Sequence, residues 1–319
     1  MSERVQMRQS GRPVVVATLA ALLWGAMELA PVAHMPPLHL NPVVDKLAQG
    51  KHVIGVSTSD LSFENARELS RADIDFVRLE MEHGPMDVAA AKAFLIGMID
   101  RAATVKKGNA QPNVAPFVRI APYGRESSAW AVKQLLDIGM MGIKFPAIDN
   151  REQALAVVRS MRYPALKTSA IREPVGIRGC CSGAATWFWG VPDYDEHADL
   201  WPLNPAGDLL AILLIETGEG LKNIDEIASV PGVGVIFAGV LGDMPKSLGV
   251  TPDAPEMKGA AETILKACQK HKVVCGYPVN AGNVQQAIKD GWRYIDAGGA
   301  SGGLTAASGA AVRAGRAVK

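Results

Sequence analysis

From Asn41 onward, short apolar runs of strand length alternate with longer segments of helical period. The apolar runs are His52–Thr58, Phe76–Glu82, Pro116–Ala121, Gly142–Ile148, Leu209–Thr217, Val233–Val240, Val273–Val279 and Tyr294–Gly298. They are rich in Val, Ile, Leu and Phe, as parallel strands covered on both faces should be. The helical segments between them are Ser62–Ser70, Asp87–Val105, Glu126–Asp137, Arg151–Arg162, Gly220–Ser229, Ala254–His271, Asn283–Lys289 and Leu304–Ala317. Asp87 and Asn283 stand where helix N-caps are expected, and Gly139 and Gly291 where helices stop. Eight strands, each followed by a helix, predict a (β/α)8 TIM barrel. A doubly wound sheet would carry a Gly-x-Gly-x-x-Gly turn after its first strand, and none is present there. One segment breaks the rhythm: Tyr163–Gly207 is a long loop holding Trp187, Trp189 and Trp201. Loops of that length in compact domains usually serve as lids or oligomer contacts.

The first 40 residues read as an extension, and residues 41–319 as the barrel. Arg4, Arg8 and Arg12 precede an uncharged apolar run from Pro13 to Met27, which Glu28 ends. A run of about 15 residues is short for a membrane span but suits the core of a secretory signal. No clean Ala-x-Ala cleavage triplet follows, so the reading stays divided. One possibility is an exported, periplasmic or membrane-tethered protein; the other is an amphipathic or disordered extension on a cytoplasmic enzyme. The four prolines between Pro31 and Pro42 read as a linker.

Composition narrows the function classes. The chain has 319 residues, 48% of them hydrophobic, and a net charge of +1. That balance excludes a general nucleic-acid binder, which would show a basic patch, and a disordered chain. The four cysteines are too few for a disulfide scaffold. Cys180 and Cys181 are adjacent, Cys268 and Cys275 lie on neighbouring elements, and no spacing suggests zinc. All four are expected to be structural or incidental thiols.

In a barrel the site lies where the strands end. The second strand ends in Glu80-Met81-Glu82-His83-Gly84-Pro85 and the third in Arg119. The fifth ends in Glu216-Thr217, and the sixth runs into Gly239-Val240-Leu241-Gly242-Asp243. Glu216 and Asp243 offer oxygen ligands to a hard divalent cation and leave positions open for a 2-oxo acid. The cation would act as a Lewis acid while an enolate forms. Arg119 would face the developing oxyanion, and His83 would move the proton. Glu80 or Glu82 could orient the imidazole. Lys144 ends the fourth strand, where a Schiff-base lysine is conceivable. A lone barrel lysine is weak evidence for one.

At these residues the chain resembles the HpcH/HpaI aldolase family of metal-dependent 2-oxo-acid aldolases. The resemblance rests on Met81-Glu82-His83-Gly84-Pro85, Phe117-Val118-Arg119 and Gln134-Leu135-Leu136-Asp137-Ile138-Gly139. It continues through Pro146, Gly176-Ile177-Arg178-Gly179 and Ile215-Glu216-Thr217. It implies a phosphoenolpyruvate/pyruvate-type barrel assembled as a homohexamer, a trimer of dimers, with the last helix exchanged between partners. It implies Mg²⁺, Mn²⁺ or Co²⁺ on Glu216 and Asp243, with Arg119, His83 and Glu80 as the catalytic group. The reaction implied is retro-aldol cleavage of a hydroxy-2-oxo acid to pyruvate, or a related 2-oxo acid, plus an aldehyde. The backbone at Gly239 and Gly242 would hold the substrate carboxylate, and Arg178 would lie on a loop near the site. Three positions depart from the family pattern. Glu80 replaces an aspartate, Leu214 replaces a glutamine, and one extra residue precedes Asp243.

Two other functions compete with the lyase. An acyl-CoA-linked lyase of the same superfamily would need a cationic site for the CoA phosphates, and no such cluster is evident. A non-catalytic barrel acting as a binding protein would have no need for His83, Arg119, Glu216 and Asp243 together.

Overall fold

A computed structural model describes residues 39–122 and 127–318. The charged and apolar stretches of the N-terminal extension lie outside these residues, as does the start of the segment expected to be helical from Glu126. Among the described residues, no helix is long and apolar enough to cross a membrane.

Eight parallel strands close into one barrel in chain order. They are β1 (Val53–Thr58), β2 (Phe76–Glu80), β3 (Ala115–Arg119), β4 (Gly142–Phe145), β5 (Leu210–Ile215), β6 (Val235–Ala238), β7 (Val274–Pro278) and β8 (Tyr294–Gly299). β1 pairs with both β2 and β8, which completes the ring. All eight predicted strands are present.

Large rings fill the lower lumen. Phe76 stacks on Tyr294 at 4.3 Å between centroids and on Phe117 at 5.6 Å, and Phe237 meets Tyr294 edge-on at 6.2 Å. Glycines opposite make the room: a Cβ on Gly142 would come within 2.9 Å of the Phe117 ring, and one on Gly55 would strike Phe76. This alternation of small and large residues packs the lumen as a solid core.

The helices follow the expected order with instructive differences. The segment Asp87–Val105 is two helices, Val88–Gly97 and Arg101–Lys107. Asp87 caps the first, and Asp100 caps the second by accepting from Ala103 N at 3.0 Å. A second Asn/Asp cap inside a helical pattern is the signal of such a break. Gly220–Ser229 is likewise split, into Gly218–Lys222 and Ile224–Ala228. Asn283 does not cap its helix; its Oδ1 instead accepts from Asn280 N at 2.8 Å. The end of the proline-rich linker is a helix start, Pro42–Ala48. Asn41 caps it, and Pro42 opens it at the position where a missing N–H costs nothing.

The four cysteines are not free thiols. Cys180 is bonded to Cys181, and Cys268 to Cys275. Lys272, in a left-handed conformation, turns the chain between the helix Pro255–His271 and β7. That reversal brings the Cα atoms of Cys268 and Cys275 to 5.8 Å, the usual disulfide span. The last helix, Ala306–Arg316, packs against β8, β1 and the helix Val284–Asp290. Its Gly315 lies against Ile54, where a Cβ would not fit. Arg316 Nη1 donates to Asp75 at 2.9 Å.

The long loop packs under the barrel, against the elements that lead into β4 and β5. Trp189 is buried and donates from Nε1 to Gly139 O at 2.9 Å. Arg178 donates to Asp137 at 2.9 Å and to the Tyr194 hydroxyl at 2.9 Å, and its guanidinium stacks on Tyr163. Asp137 ends the helix before β4, so this cluster sits at the strand entrances.

Candidate active site at the barrel mouth

The strand ends bring Glu80 and Arg119 together directly, because β2 and β3 pair in a register that sets Glu80 beside Arg119. Arg119 Nε donates to both Glu80 oxygens, at 2.7 and 2.9 Å. Its Nη1 lies 2.8 Å from Glu82 Oε2. Glu80 also accepts from Glu82 N at 3.0 Å and from Arg78 Nη1 at 2.9 Å. Burial alone would raise the Glu80 carboxyl, but the Arg78 and Arg119 charges outweigh it and hold it below its ordinary value. Glu82 goes the other way: burial raises it, and Arg119 only partly offsets that.

His83 lies on the rim. Its side chain is 67% exposed, and its Nε2 is 3.5 Å from Glu82 Oε2. The ring is therefore reachable by a substrate and backed by Glu82 rather than Glu80. The sequence allows either carboxylate to back the imidazole, and the structure divides their work. Glu80 binds the arginines, and Glu82 stands between Arg119 and His83.

Glu216 follows β5 and is buried. Its Oε1 accepts from Ala147 N at 2.9 Å, offered by a left-handed turn after β4. Burial, and next the Glu82 charge, push Glu216 up to about 7, with Asp243 adding to the shift. Asp243 opens the short helix Asp243–Leu248, and its side chain is 60% exposed. Among the described residues it pairs with Lys246, at 3.4 Å.

Gly239 shapes the site without offering its amide, since its N–H donates to Ile215 O at 2.8 Å. It lets the end of β6 approach Glu216: a Cβ at 239 would stand 2.5 Å from Glu216 Cβ. Gly239→Ala should therefore cost about 1–3 kcal/mol by overpacking and displace Glu216. Chemical unfolding of the variant checks this, and wild-type stability would refute the crowding argument. Gly242 is exposed at the mouth, with open space where a Cβ would go.

Arg178 is not with these residues. It was expected near the site, but in this chain it anchors the long loop at the opposite end of the barrel. Its side chain is wholly buried beside Asp137. Arg178→Ala should lower stability by about 3 kcal/mol, as a broken buried pair does, with turnover of the folded protein unchanged. A fall in turnover at constant stability would return Arg178 to the site.

A divalent cation at the mouth needs carboxylate oxygens that other cations do not already engage. Among the described residues, the three-residue group with ligand atoms within 4.8 Å of one another is Glu80, Glu82 and His83. Two guanidiniums already neutralise Glu80, however, so its lone pairs are engaged. Glu216 makes no ion pair among the described residues, and burial first, then the Glu82 and Asp243 charges, raises its carboxyl to about 7. Excess negative charge of this kind is what a bound cation relieves.

Two further charges were missed as partners of the site. Arg78 and Asp296 are buried in the lumen and joined at 2.7 Å. The available signal was a charged residue inside each of the apolar runs Phe76–Glu82 and Tyr294–Gly298. Lys144 is buried with its Nζ 3.3 Å from the centre of the Phe237 ring. Burial and the nearby Arg78 charge drive its ammonium well below the usual lysine range.

Comparison with known proteins gives this rim its context. The model of the HpcH/HpaI aldolase/citrate lyase family matches residues 61–307. A hydroxypyruvate/pyruvate aldolase of Paraburkholderia phytofirmans is 28% identical over 80% of this chain and 90% of its own. A 5-keto-4-deoxy-D-glucarate aldolase of Citrobacter koseri is 30% identical over 72% of this chain and 76% of its own. The crystal structure of an HpcH/HpaI family protein from Burkholderia cenocepacia superposes with a TM-score of 0.67 at 26% identity. It covers 81% of this chain and 93% of that one. The match spans the strand ends that carry Glu80, Arg119 and Glu216, and the chain belongs to the HpcH/HpaI aldolase/citrate lyase family of aldehyde-lyases.

Proposed function

We propose that the protein cleaves a hydroxy-2-oxo acid by a retro-aldol reaction, releasing pyruvate or hydroxypyruvate and an aldehyde. The observation that carries this reading is the placing at one barrel mouth of a clamped cation, Arg119, and a buried carboxylate, Glu216, that makes no ion pair among the described residues. The substrate class is supported by the names of the relatives, which act on hydroxypyruvate, pyruvate and 5-keto-4-deoxy-D-glucarate.

Glu216 and Asp243 would hold the divalent cation, with Mg²⁺, Mn²⁺ and Co²⁺ the fitting ions for an all-oxygen set. Such a cation supplies Lewis acidity toward the 2-oxo acid. Arg119 faces the oxygen on which negative charge develops, and Glu80 keeps the guanidinium in plane for that role. His83, reachable from solvent and backed by Glu82, takes the proton from the substrate hydroxyl as the carbon–carbon bond breaks. Gly239 keeps β6 close, so Glu216 stays at the mouth.

Exchange of the pyruvate methyl protons in D₂O, followed by NMR with and without Mg²⁺, Mn²⁺ or Co²⁺, tests the reading without knowledge of the aldehyde. Metal-dependent exchange is expected. Folded protein that exchanges nothing with any of these ions would overturn the proposal.

A further inference from the structure

A parallel barrel fills its lumen with bulky apolar residues, so a charged layer inside it needs a reason. Arg78 on β2, Lys144 on β4 and Asp296 on β8 form such a layer, each less than 7% exposed. It lies directly under Glu80 and Arg119. Burial of Arg78 is compensated by two carboxylates. Its Nη2 donates to Asp296 Oδ2 at 2.7 Å and its Nη1 to Glu80 Oε2 at 2.9 Å. Asp296 is fixed in turn, since its Oδ1 accepts from Gly298 N at 3.1 Å. Above, Glu80 holds Arg119 Nε. A continuous ladder therefore runs from Asp296 through Arg78 and Glu80 to Arg119.

We propose that Arg78 and Asp296 are positioning residues of the aldolase site. Asp296 fixes Arg78, Arg78 fixes the Glu80 carboxylate, and Glu80 sets the plane of the Arg119 guanidinium. The proposal rests on the reading of Arg119 as the group that meets the developing enolate oxygen. The physical argument is competition for Glu80, whose two oxygens serve two guanidiniums. With Asp296 present, Arg78 shares its charge between two carboxylates and leaves Glu80 a strong partner for Arg119. Without Asp296, Arg78 leans wholly on Glu80 and draws it toward the lumen. Without Arg78, Glu80 loses the donor that fixes its rotamer. A ladder serving stability alone would gain nothing from ending on a rim arginine, because a buried pair is often no more stabilising than apolar residues of the same size.

The test is the double variant Arg78→Met/Asp296→Asn, which removes both charges and keeps the layer balanced. It is expected to melt near the wild-type temperature while pyruvate methyl exchange falls by about tenfold to 100-fold, the effect of a misplaced catalytic group. Metal affinity and the KM for pyruvate should stay within about twofold, because neither residue touches metal or substrate. A purely structural role predicts the opposite: activity returns together with stability, and that result overturns the proposal. Asp296→Asn alone serves as the second variant. It should lower exchange with Arg78 still held by Glu80, and unchanged exchange would count against the ladder. A crystal structure of either variant separates this inference from the proposed function. Wild-type protein that exchanges no pyruvate sinks the aldolase reading. A variant that keeps Glu80 and Arg119 in their wild-type contacts sinks the positioning role, whatever the activity.

Discussion

Replacing Glu216 with glutamine is expected to abolish metal-dependent turnover, by about 10³-fold or more, and at the same time to stabilise the metal-free protein above neutral pH. The two effects have one cause. Glu216 is raised from its ordinary value of 4.5 to about 7 by burial and by the Glu82 and Asp243 charges. Below pH 4.5 the group is protonated in both folded and unfolded chains and contributes nothing to the balance. Between about 4.5 and 7 the unfolded chain ionises while the folded chain retains its proton, so stability falls as pH rises. Above 7 the full penalty is present, about 2 kcal/mol once screening at the open mouth is allowed for. Glutamine keeps an oxygen for Ala147 N and removes the titration. Chemical unfolding at pH 5 and pH 8, with and without Mn²⁺, checks the prediction. The wild type should lose stability at pH 8 and regain it with metal, whereas Glu216→Gln should do neither. Full turnover in the variant would remove Glu216 from the site.

Arg119→Lys is the second large effect, expected to lower turnover by about 10²–10³-fold while leaving metal affinity in place. Arg119 holds Glu80 through Nε and reaches Glu82 through Nη1 at 2.8 Å. A lysine has a single ammonium on a flexible stem and cannot present both contacts in one plane. Glu82 would then be a half-buried carboxylate without its guanidinium, and its pKa, already raised, would rise further. Metal titration alongside steady-state kinetics separates the outcomes. Loss of turnover with unchanged metal binding supports the role at the enolate oxygen. An equal loss of metal binding would make Arg119 a structural support of the Glu82–Glu216 region.

The barrel was legible in the sequence because buried parallel strands leave continuous apolar runs, and eight of them alternated with helical segments. The strand-end residues Glu80, Arg119 and Glu216 were legible for a related reason. A polar residue closing an apolar run in this fold must lie at the mouth. Helix breaks at Asp100 and Asn223 were missed because helix-forming residues continue across them: a side-chain cap marks the joint at Asp100, and none does at Asn223. Arg178 was misplaced because sequence position says nothing about which end of the barrel a long loop returns to. The cysteine pair 268–275 depended on a left-handed turn at Lys272, a conformation that a lysine does not announce.

The order of the elements, the closure into eight and the rim carboxylates and arginine were thus determined by the sequence itself. Burial demands apolar runs, and their ends carry the chemistry. Which charges meet was decided by the tertiary structure. Arg78 and Asp296 stand 218 positions apart and touch because β8 closes on β1 beside β2. Glu216 takes its raised pKa first from burial and then from Glu82 and Asp243, which other elements bring to the mouth. Strand alternation names the two faces of β2 or β8, but both are buried in this fold. The ring must close before one of them becomes the lumen and its charges become partners.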